Sequence, residues 1–526
     1  MKKENSKKIS SACLAALLTA SMLFASACSD NSEDTNAPWT TEAPETIPWT
    51  TDDIESNIVY EDTDTVEDVT DTFETNTPET DAPETLFGPG YELSDGTLTI
   101  LDDDAMEDYV VSQEIPWYGQ RESITKVIIS DGVTRIASLA FSQCSNLESI
   151  TIPDSVKSIG ECAFIFSGIS SITIPASVTY IELSAFMDCE NFTSITVDEK
   201  NVNYSSIDGV LFSKDKTELL LYPINIEKAS YTVPNGVTKI GDGAFRSCET
   251  LTSVVIPDGV TDIGAGAFDY CIKLESVTLP DSVRNIETEA FRSCEALGSI
   301  KIPNGVEKIN IGTFMSCTSL SSVEIPQSVK IIDGSSFMYC ESLTEVVIPN
   351  SVEAIGMGAF AFCGLKSVTL PDSVKAINEG VFDSCENLIS FTITANLIKL
   401  DCQFCGCTSL TEITVDKNNK YFSSDEHGVL FNKDKTTLYV YPANKKNVEY
   451  TIPDSVTAIG KNAFSYCTNL ESITIPDSVE SIDMEVFYSC SSLKTINFSG
   501  SEEQWNAIEK NEWNVGMPEC TINFGA

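Results

Sequence analysis

Histidine and basic residues are scarce in this sequence. It contains one His, and 32 Lys and Arg residues face 79 Asp and Glu residues, which gives a formal net charge of −47 at pH 7. A protein that binds nucleic acid by neutralising phosphates needs a basic face, so that class is excluded. The same charge argues against peripheral binding to anionic lipid, and a single imidazole excludes a zinc site built from several histidines.

Lys and Arg are absent altogether from one long segment. Residues 29–88 contain neither, while Asp, Glu and Thr recur through them and short motifs such as Pro-Trp-Thr-Thr repeat. Like charges repel, proline blocks regular strand pairing, and few large apolar residues remain for burial. We predict that residues 28–88 form a disordered acidic stalk, whose Thr and Pro content also permits O-glycosylation.

Long apolar runs are missing as well, because no segment has the roughly 20 consecutive apolar residues that span a bilayer. Near the start, lysines precede an apolar stretch over about residues 12–24 and the small residues 25–27, which predicts a secretory signal peptide at 1–27. The following Cys28 resembles the lipidated cysteine of bacterial lipoproteins, although Ala25 stands where Leu is usual. The alternative is an ordinary cleaved signal. A lipid on Cys28 would be the only membrane contact.

One aromatic position repeats along the rest of the chain. Phe stands in the setting Ala-Phe-x-x-Cys, or a near variant, at intervals of 22 or 23 residues, apart from two longer intervals. The thirteen copies are Phe141, Phe164, Phe186, Phe245, Phe268, Phe291, Phe314, Phe337, Phe360, Phe382, Phe404, Phe464 and Phe487. Such a period is typical of a stacked repeat architecture.

The repeat that begins at Leu274 shows what each part of the unit does. Residues 277–279 alternate inward apolar and outward polar side chains, as a strand does, and the following Pro-Asp-Ser ends that strand. Phe291 and Cys294 place apolar groups three residues apart, as in a short helical turn. Too few residues of one unit point inward for it to be stable alone, so neighbouring units must stack.

The fold class predicted is a β-rich, α+β solenoid of about thirteen units of 22–23 residues, with a parallel sheet, short helical turns and two β-hairpin insertions. The unit Leu-x-x-Val-x-Ile-Pro, Val-x-x-Ile, Ala-Phe-x-x-Cys-x-x-Leu resembles the BspA-type leucine-rich repeat of bacterial surface proteins over about residues 121–498. This resemblance implies a right-handed leucine-rich-repeat stack over residues 132–498. It also implies a role in attachment to extracellular host proteins.

The two longer intervals indicate insertions into the repeat. We predict β-hairpins at about residues 198–230 and 416–449, each with a Lys-Asp-Lys turn, that project as flaps beside the sheet. They could hold a ligand, or they could be insertions into one coil of the solenoid that bind no partner. A solenoid exposes its core at both ends unless it is capped, so we expect residues 89–131 and 499–526 to form the N-terminal and C-terminal caps.

Most cysteines occupy a single position of the repeat. Free cysteine behaves as a small buried apolar residue, and stacked neighbours with parallel Cβ vectors have poor disulfide geometry, so we predict a column of free thiols. Its members are Cys144, Cys189, Cys248, Cys271, Cys294, Cys317, Cys340, Cys363, Cys385, Cys407, Cys467 and Cys490, with Ser167 in the remaining place. The cluster of Cys402, Cys405 and Cys407 indicates a metal only weakly, because no second pair of ligands is nearby.

The sole histidine, His427, aligns with Asp208 when the two insertions are compared. A position before a strand that also accepts Asp is a turn residue and not a general base. The sequence contains no constellation typical of Ser/His/Asp or glycosidase chemistry. We therefore predict that the protein is not an enzyme and uses no metal or cofactor.

Two columns of outward residues run along the predicted strands, the first rich in Ser and the second in Thr. Ser and Thr suit any solvated sheet, so the columns alone need not bind anything. Alternatively, they form a platform for repeated contacts with a protein or glycan. The second column departs from Thr in consecutive repeats, so the predicted ligand-binding residues are Ser276, Thr278, Ser299, Lys301, Ser322, Glu324, Glu345 and Val347.

Anchor, stalk and repeat together predict a secreted, monomeric lipoprotein at the bacterial cell surface. In the leading interpretation it binds an extracellular protein or glycan, such as a host matrix protein, or another cell, in adhesion. The alternative is a structural or scaffold lipoprotein of the envelope with a bacterial partner. No nucleic-acid partner is expected.

Overall fold

The computed structural model describes residues 86–109, 114–401 and 404–525 of the chain. The predicted signal peptide, Cys28, nearly all of the predicted stalk and Cys402 lie outside the described residues. Within these ranges, no helix is long and apolar enough to cross a membrane.

The described residues form a parallel-sheet β-solenoid of about 17 turns with little helix, which confirms the predicted fold class. One side of each turn carries what we call the main strand. The main strands fall into several sheets, and within each sheet neighbouring main strands pair in parallel with equivalent positions opposite each other, as Ser253 lies opposite Ser276. The main strands are Thr97–Ile100, Lys126–Ile129, Ser149–Thr151, Ser171–Ile174, Ser194–Val197, Ser230–Thr232, Ser253–Val255, Ser276–Thr278, Ser299–Lys301, Ser322–Glu324, Ser367–Thr369, Ser390–Ile393, Glu412–Val415, Glu449–Thr451, Ser472–Ile475, Thr495–Phe498 and Thr521–Phe524.

A second side of most turns carries a short strand, and these strands form a second set of parallel pairs. Ile309, for example, lies opposite Ile332, and both side chains are buried. The short strands are Arg135–Ile136, Ser158–Ile159, Tyr180–Ile181, Glu218–Leu221, Lys239–Ile240, Asp262–Ile263, Asn285–Ile286, Lys308–Ile309, Ile331–Ile332, Ala354–Ile355, Ala376–Ile377, Lys399–Leu400, Thr437–Val440, Ala458–Ile459, Ser481–Ile482 and Glu509–Lys510. The core is therefore enclosed by the main strands, the short strands and a third side of each turn.

The third side carries the repeated Phe and Cys and consists mainly of tight turns. The expected short helix is a 3-10 helix at Leu183–Phe186. In other repeats the N–H of the Phe donates to the next turn of the solenoid, as Phe268 does to the Ala290 carbonyl at 2.7 Å. The residues two before and two after this Phe, Gly266 and Tyr270, have φ of 56° and 58°. Positive φ at both places interrupts any helix.

The repeated Phe residues stack as a column inside the solenoid. All thirteen are buried, and the rings of Phe245 and Phe268 lie 4.9 Å apart and 6° from parallel. Other aromatic residues continue the column in turns without the repeated Phe: Trp117 contacts Phe141, Tyr222 contacts Phe245, Tyr441 contacts Phe464, and Trp513 contacts Phe487. These additional turns explain why the solenoid exceeds thirteen units.

The two insertions lie inside the stack, so the prediction that they project as flaps is wrong. Each is a three-stranded antiparallel unit with the expected Lys-Asp-Lys turn, and its last strand is one of the short strands. The strands that precede it are Tyr204–Ile207 and Val210–Ser213 in the first insertion, and Phe422–Ser424 and Leu430–Asn432 in the second.

The middle strand of each insertion separates two parts of the core. Leu211 packs into the cluster that begins at Tyr91, whereas Val210 and Phe212 pack into the following cluster. In the second insertion, Leu430 and Phe431 likewise belong to different clusters. A strand with apolar side chains on both faces cannot project into solvent without exposing them, so it becomes a partition within the stack.

The N-terminal end of the stack carries an antiparallel hairpin. Strands Leu86–Gly88 and Tyr91–Ser94 pair with each other, and the second pairs with the first main strand. Two 3-10 helices, Asp103–Ala105 and Tyr118–Ser123, follow in the next turn.

The C-terminal end carries the α-helix of the described chain, Glu502–Ala507. Ser501 and Gln504 form a capping box at its start. The helix buries Trp505, whose ring contacts Phe498 edge-on at 5.3 Å. The aromatic rings thereby cover the apolar end of the last core cluster.

Candidate binding face

Six of the eight predicted ligand-binding residues lie on the outer face of the main strands, and Glu345 and Val347 occupy the equivalent positions of a turn without a main strand. Each is exposed, and none makes a side-chain hydrogen bond or ion pair with another described residue. In register, Ser299 lies opposite Ser322 and Lys301 opposite Glu324. The face therefore presents free hydroxyl and charged groups at the regular spacing of about 4.8 Å between strands.

The structure does not bring all eight residues onto one uninterrupted sheet. Strand Ser276–Thr278 belongs to a different sheet from Ser299–Lys301 and Ser322–Glu324. Glu345 and Val347 lie in the next turn, where residues 345–348 form no strand. The candidate site is consequently divided, and its last part differs from the rest.

A groove opens on the main face around residues 345–348. It has a volume of about 570 Å³. The lining residues are Ser321, Ser322, Val323, Glu345, Val346, Val347, Ile348, Asn350, Ser367, Thr369, Leu370 and Pro371. Val323 and Val346, which should point into the core, are only partly buried, whereas the equivalent Val368 is 3% exposed. The strands flanking the groove thus leave part of the core side accessible.

The opening is confined to the main face. On the second side of the same turns, Ile332 lies opposite Ile355 in a paired short strand. On the third side, Phe337 stacks on Phe360 with ring centres 5.2 Å apart, and the Tyr339 and Phe362 rings lie 4.5 Å apart. The turns therefore remain in contact behind the groove, and the Lys366 N–H donates to the Thr344 carbonyl at 3.1 Å at its edge, while residues 345–348 form no strand pair with the turns on either side.

A shortened loop accompanies this opening. One residue is missing between Cys363 and Leu365, where other repeats have Cys-x-x-Leu. Gly364 fills the gap, and a Cβ there would stand 2.1 Å from the Glu341 carbonyl oxygen. Only glycine permits this close approach, and the short loop changes where the next main strand, Ser367–Thr369, begins.

The same loop occurs once more, at residues 167–169. A Cβ on Gly168 would stand 2.1 Å from the Ser145 carbonyl oxygen. There too the main strands on either side, Ser149–Thr151 and Ser171–Ile174, fall in different sheets. The interruption between Ser276–Thr278 and Ser299–Lys301 has no shortened loop, and nothing in the sequence explains it.

Sequence reasoning found part of the groove and missed the rest. It identified Ser322, Glu345 and Val347 from their place in the outward columns. It missed the lining residues on inward positions, such as Val346 and Ile348, because an intact sheet would cover them. The signal that could have found them is the single-residue deletion before Leu365.

The column of cysteines is confirmed as free thiols. All twelve repeat-position cysteines are buried. The Cys271 thiol donates to the Phe245 carbonyl at 3.0 Å, and Cys317 donates to Phe291 at 3.1 Å. Burial raises the pKa of the Cys317 thiol to about 12, so these groups are poor nucleophiles at neutral pH.

His427 and the cysteine cluster are the remaining candidates for catalysis or metal binding. His427 lies in a turn, as predicted, and its backbone N–H donates to the Asp425 carboxylate at 2.9 Å. Among the described residues, no group of three or more His, Cys, Asp and Glu side chains could hold a metal ion. Cys402, one member of the suggested cluster, lies outside the described residues.

The stacked turns, the aromatic column and the exposed strand face define a leucine-rich-repeat solenoid. The family model described as "BspA type Leucine rich repeat region (6 copies)" matches residues 117–232, 224–344, 330–429 and 438–514. Because these matches cover most of the chain, the protein belongs to the BspA-type leucine-rich repeat family.

Solved structures similar to the chain include other bacterial leucine-rich repeat proteins. One from Eubacterium ventriosum is 27% identical with a TM-score of 0.41, over 53% of this chain and 94% of that one. A leucine-rich cell surface protein of Faecalibacterium prausnitzii is 26% identical with a TM-score of 0.35, over 82% and 99%. The pneumococcal vaccine antigen PcpA is 24% identical with a TM-score of 0.39, over 56% and 68%. Among curated proteins, none matches the chain.

Proposed function

We propose that this protein is an adhesin-like repeat protein of the bacterial cell surface, which binds an extracellular protein or glycan through its main face. The observation that carries the proposal is a set of exposed polar residues on that face whose side chains make no bonds to other described residues: Ser276, Thr278, Ser299, Lys301, Ser322, Glu324 and Glu345. Side chains that are already exposed and unpaired form contacts with a ligand without first breaking internal ones.

Membership in the BspA-type family and the anchor-like N-terminal sequence support a place at the cell surface. In this account, a lipid on Cys28 holds the chain and the acidic segment separates the repeats from the membrane. Replacing Cys28 with Ser should release the protein into the medium, whereas an unchanged membrane fraction would contradict lipid anchoring. Intact cells treated with protease should lose the repeat region if it is exposed outside, and protection would favour an envelope scaffold.

The repeated face suits recognition better than catalysis. Each turn offers similar groups at similar spacing, so several weak contacts act together on one extended ligand. A catalytic site would instead need an acid, base or nucleophile with matched pKa and position, and the face offers none among its described residues.

The proposal is tested with the full-length mature protein on immobilised matrix proteins and on a glycan array. Saturable binding to at least one of them is expected. Binding should weaken when charges of the face are reversed by Lys301→Glu together with Glu324→Lys. The matched control is Lys273→Glu, because Lys273 is exposed in a turn outside the main face and, like Lys301, forms no ion pair with another described residue. The absence of saturable binding in both assays would overturn the proposed function.

A further inference from the structure

We propose that the groove at residues 345–348 binds an extended segment of a partner protein as an added β-strand, with a Lys or Arg of that segment facing Glu345. This inference rests on the proposed function, because it names the class of ligand for the same face. It assigns protein, and not glycan, to this part of the molecule.

Unpaired backbone groups are the first reason. Among the described residues, residues 345–348 make no backbone hydrogen bond across the main face. Between paired main strands this ladder is present, since the Ile302 N–H donates to the Glu324 carbonyl at 3.0 Å and the Ile452 N–H donates to the Thr474 carbonyl at 3.0 Å. A segment with free N–H and C=O groups can pair with an added strand. Glycans lack the alternating donors and acceptors that match it.

The available space is the second reason. The groove lies between the main strands Ser322–Glu324 and Ser367–Thr369, with residues 345–348 between them. Its volume of about 570 Å³ is within the usual range of ligand-binding clefts. The partly buried Val323 and Val346 give it an apolar floor, which an alternating strand would cover with every second side chain.

The side chains at the rim provide the third reason. Val347 is 82% exposed, which is unusual for a large aliphatic residue and favours an apolar contact. Glu345 is the sole charged residue among those that line the groove, and it forms no ion pair with another described residue. An opposing Lys or Arg would satisfy it and would fix the register of the bound segment.

The chain's own acidic segment does not match the charge of the groove, so it is not the ligand that we propose. Residues 29–88 contain no Lys or Arg, so they would place carboxylates against Glu345. A basic segment of another protein is the complementary ligand. The strong negative charge of the whole protein would also steer such a segment towards it.

The test uses the full-length mature protein and a phage-displayed library of random linear peptides as the probe. Panning should enrich peptides with a Lys or Arg beside alternating apolar residues. Val347→Asp should weaken their binding at least about tenfold, which corresponds to about 1.4 kcal/mol. The matched control is Val255→Asp: Val255 is 47% exposed at the same repeat position, but its strand is paired on both sides. This control should bind as the wild type does.

Charge and backbone contacts are tested separately. Glu345→Lys should abolish binding of the basic peptides, whereas Glu412→Lys, at the equivalent position of a paired strand, should not. Methylating alternate backbone nitrogens of an enriched peptide should weaken binding about tenfold, because each removes one donor. Circular dichroism of every variant checks that the solenoid is folded.

The outcomes separate this inference from the proposed function. Peptide binding that survives Val347→Asp, or that tolerates methylation at every nitrogen, would overturn the inference, and so would a library without a binder. Matrix or glycan binding that persists in Val347→Asp would overturn the groove as the ligand site and leave the surface-binding function intact.

Discussion

The Cys294 thiol donates a hydrogen bond to the Phe268 carbonyl oxygen of the preceding turn, with sulfur and oxygen 3.2 Å apart. The same carbonyl also accepts the Cys271 N–H at 3.1 Å. One buried carbonyl thus links two turns through both of its lone pairs. This relationship explains why a cysteine, a small apolar residue with a weak donor, suits a position that faces both the core and a backbone carbonyl.

The first prediction concerns these thiols. Alkylation of the native protein should modify few of the column cysteines, because they are buried and burial raises the pKa of thiols such as Cys144 to about 12. In denaturant without reductant, the column cysteines should all become reactive, as peptide mass spectrometry would report. Cysteines that resist alkylation until a reductant is added would contradict a column of free thiols.

Phe291→Ala should destabilise the solenoid by about 3–5 kcal/mol, because it leaves a cavity in the aromatic column. Phe291 is fully buried and stacks on Phe268 at 5.1 Å and on Phe314 at 5.5 Å. Urea unfolding followed by circular dichroism measures the change. The control is Phe166→Ala, since Phe166 is 52% exposed and should cost about 1 kcal/mol or less. Equal losses of stability in the two variants would mean that the column of Phe rings does not stabilise the solenoid.

Backbone conformation on the third side predicts an effect of glycine replacement. Gly358 has a φ of +61° and ample space for a methyl group, since the nearest atom to a Cβ, Ser335 Oγ, is 3.8 Å away. Gly358→Ala should therefore cost about 1 kcal/mol from the left-handed backbone alone. Gly298 has no positive φ and no atom within 4 Å of a Cβ.

Gly298→Ala is the matched control and should be neutral or slightly stabilising, because it only restricts the unfolded chain. Chemical denaturation of both variants under identical conditions makes the comparison. If both variants lost the same stability, the positive φ on the third side would not be a source of strain.

The partly buried acid Asp383 predicts a dependence of stability on pH. Burial, with the nearby Glu379, raises the pKa of Asp383 to about 7, although the Cys405 N–H and Lys461 oppose the shift. Between about pH 4 and pH 7 the folded chain holds a proton that the unfolded chain has released, so this residue lowers stability as pH rises through that window. Below the window, its contribution disappears.

Asp383→Asn removes this titration and keeps an acceptor for the Cys405 N–H, which lies 3.1 Å from Asp383 Oδ1. The variant should match the wild type near pH 4 and exceed it in stability at pH 8. Urea midpoints of both proteins across this range provide the measurement. A variant that is less stable than the wild type at pH 8 would show that the charged carboxylate is favourable.

Much of the fold could be predicted from the period of the repeat, because equivalent residues have the same structural role in each unit. Phe291 and Cys294 are apolar at a fixed spacing, so they had to face a common core. The insertions could not be placed in this way. Leu211 and Phe212 are adjacent and both apolar, which indicates that both faces of the strand are covered, but only the stack shows that each contacts a different part of the core.

The candidate site was predictable only in part for a related reason. Outward positions such as Glu345 and Val347 follow from the alternation of a strand. The groove beside them depends on how the turn after Gly364 stacks on the turn before it, which is a contact between distant residues. A one-residue deletion marks the place in the sequence, but its effect on the neighbouring strand requires the packed structure.

The main sheet is open at residues 345–347 and closed at the equivalent residues 253–255. Native-state hydrogen–deuterium exchange of the full-length protein measures this difference without any ligand. The account predicts that amides of Val346 and Val347 exchange at least about tenfold faster than those of Val254 and Val255, because only the latter strand is paired on both sides. Equal protection of the two segments would contradict it.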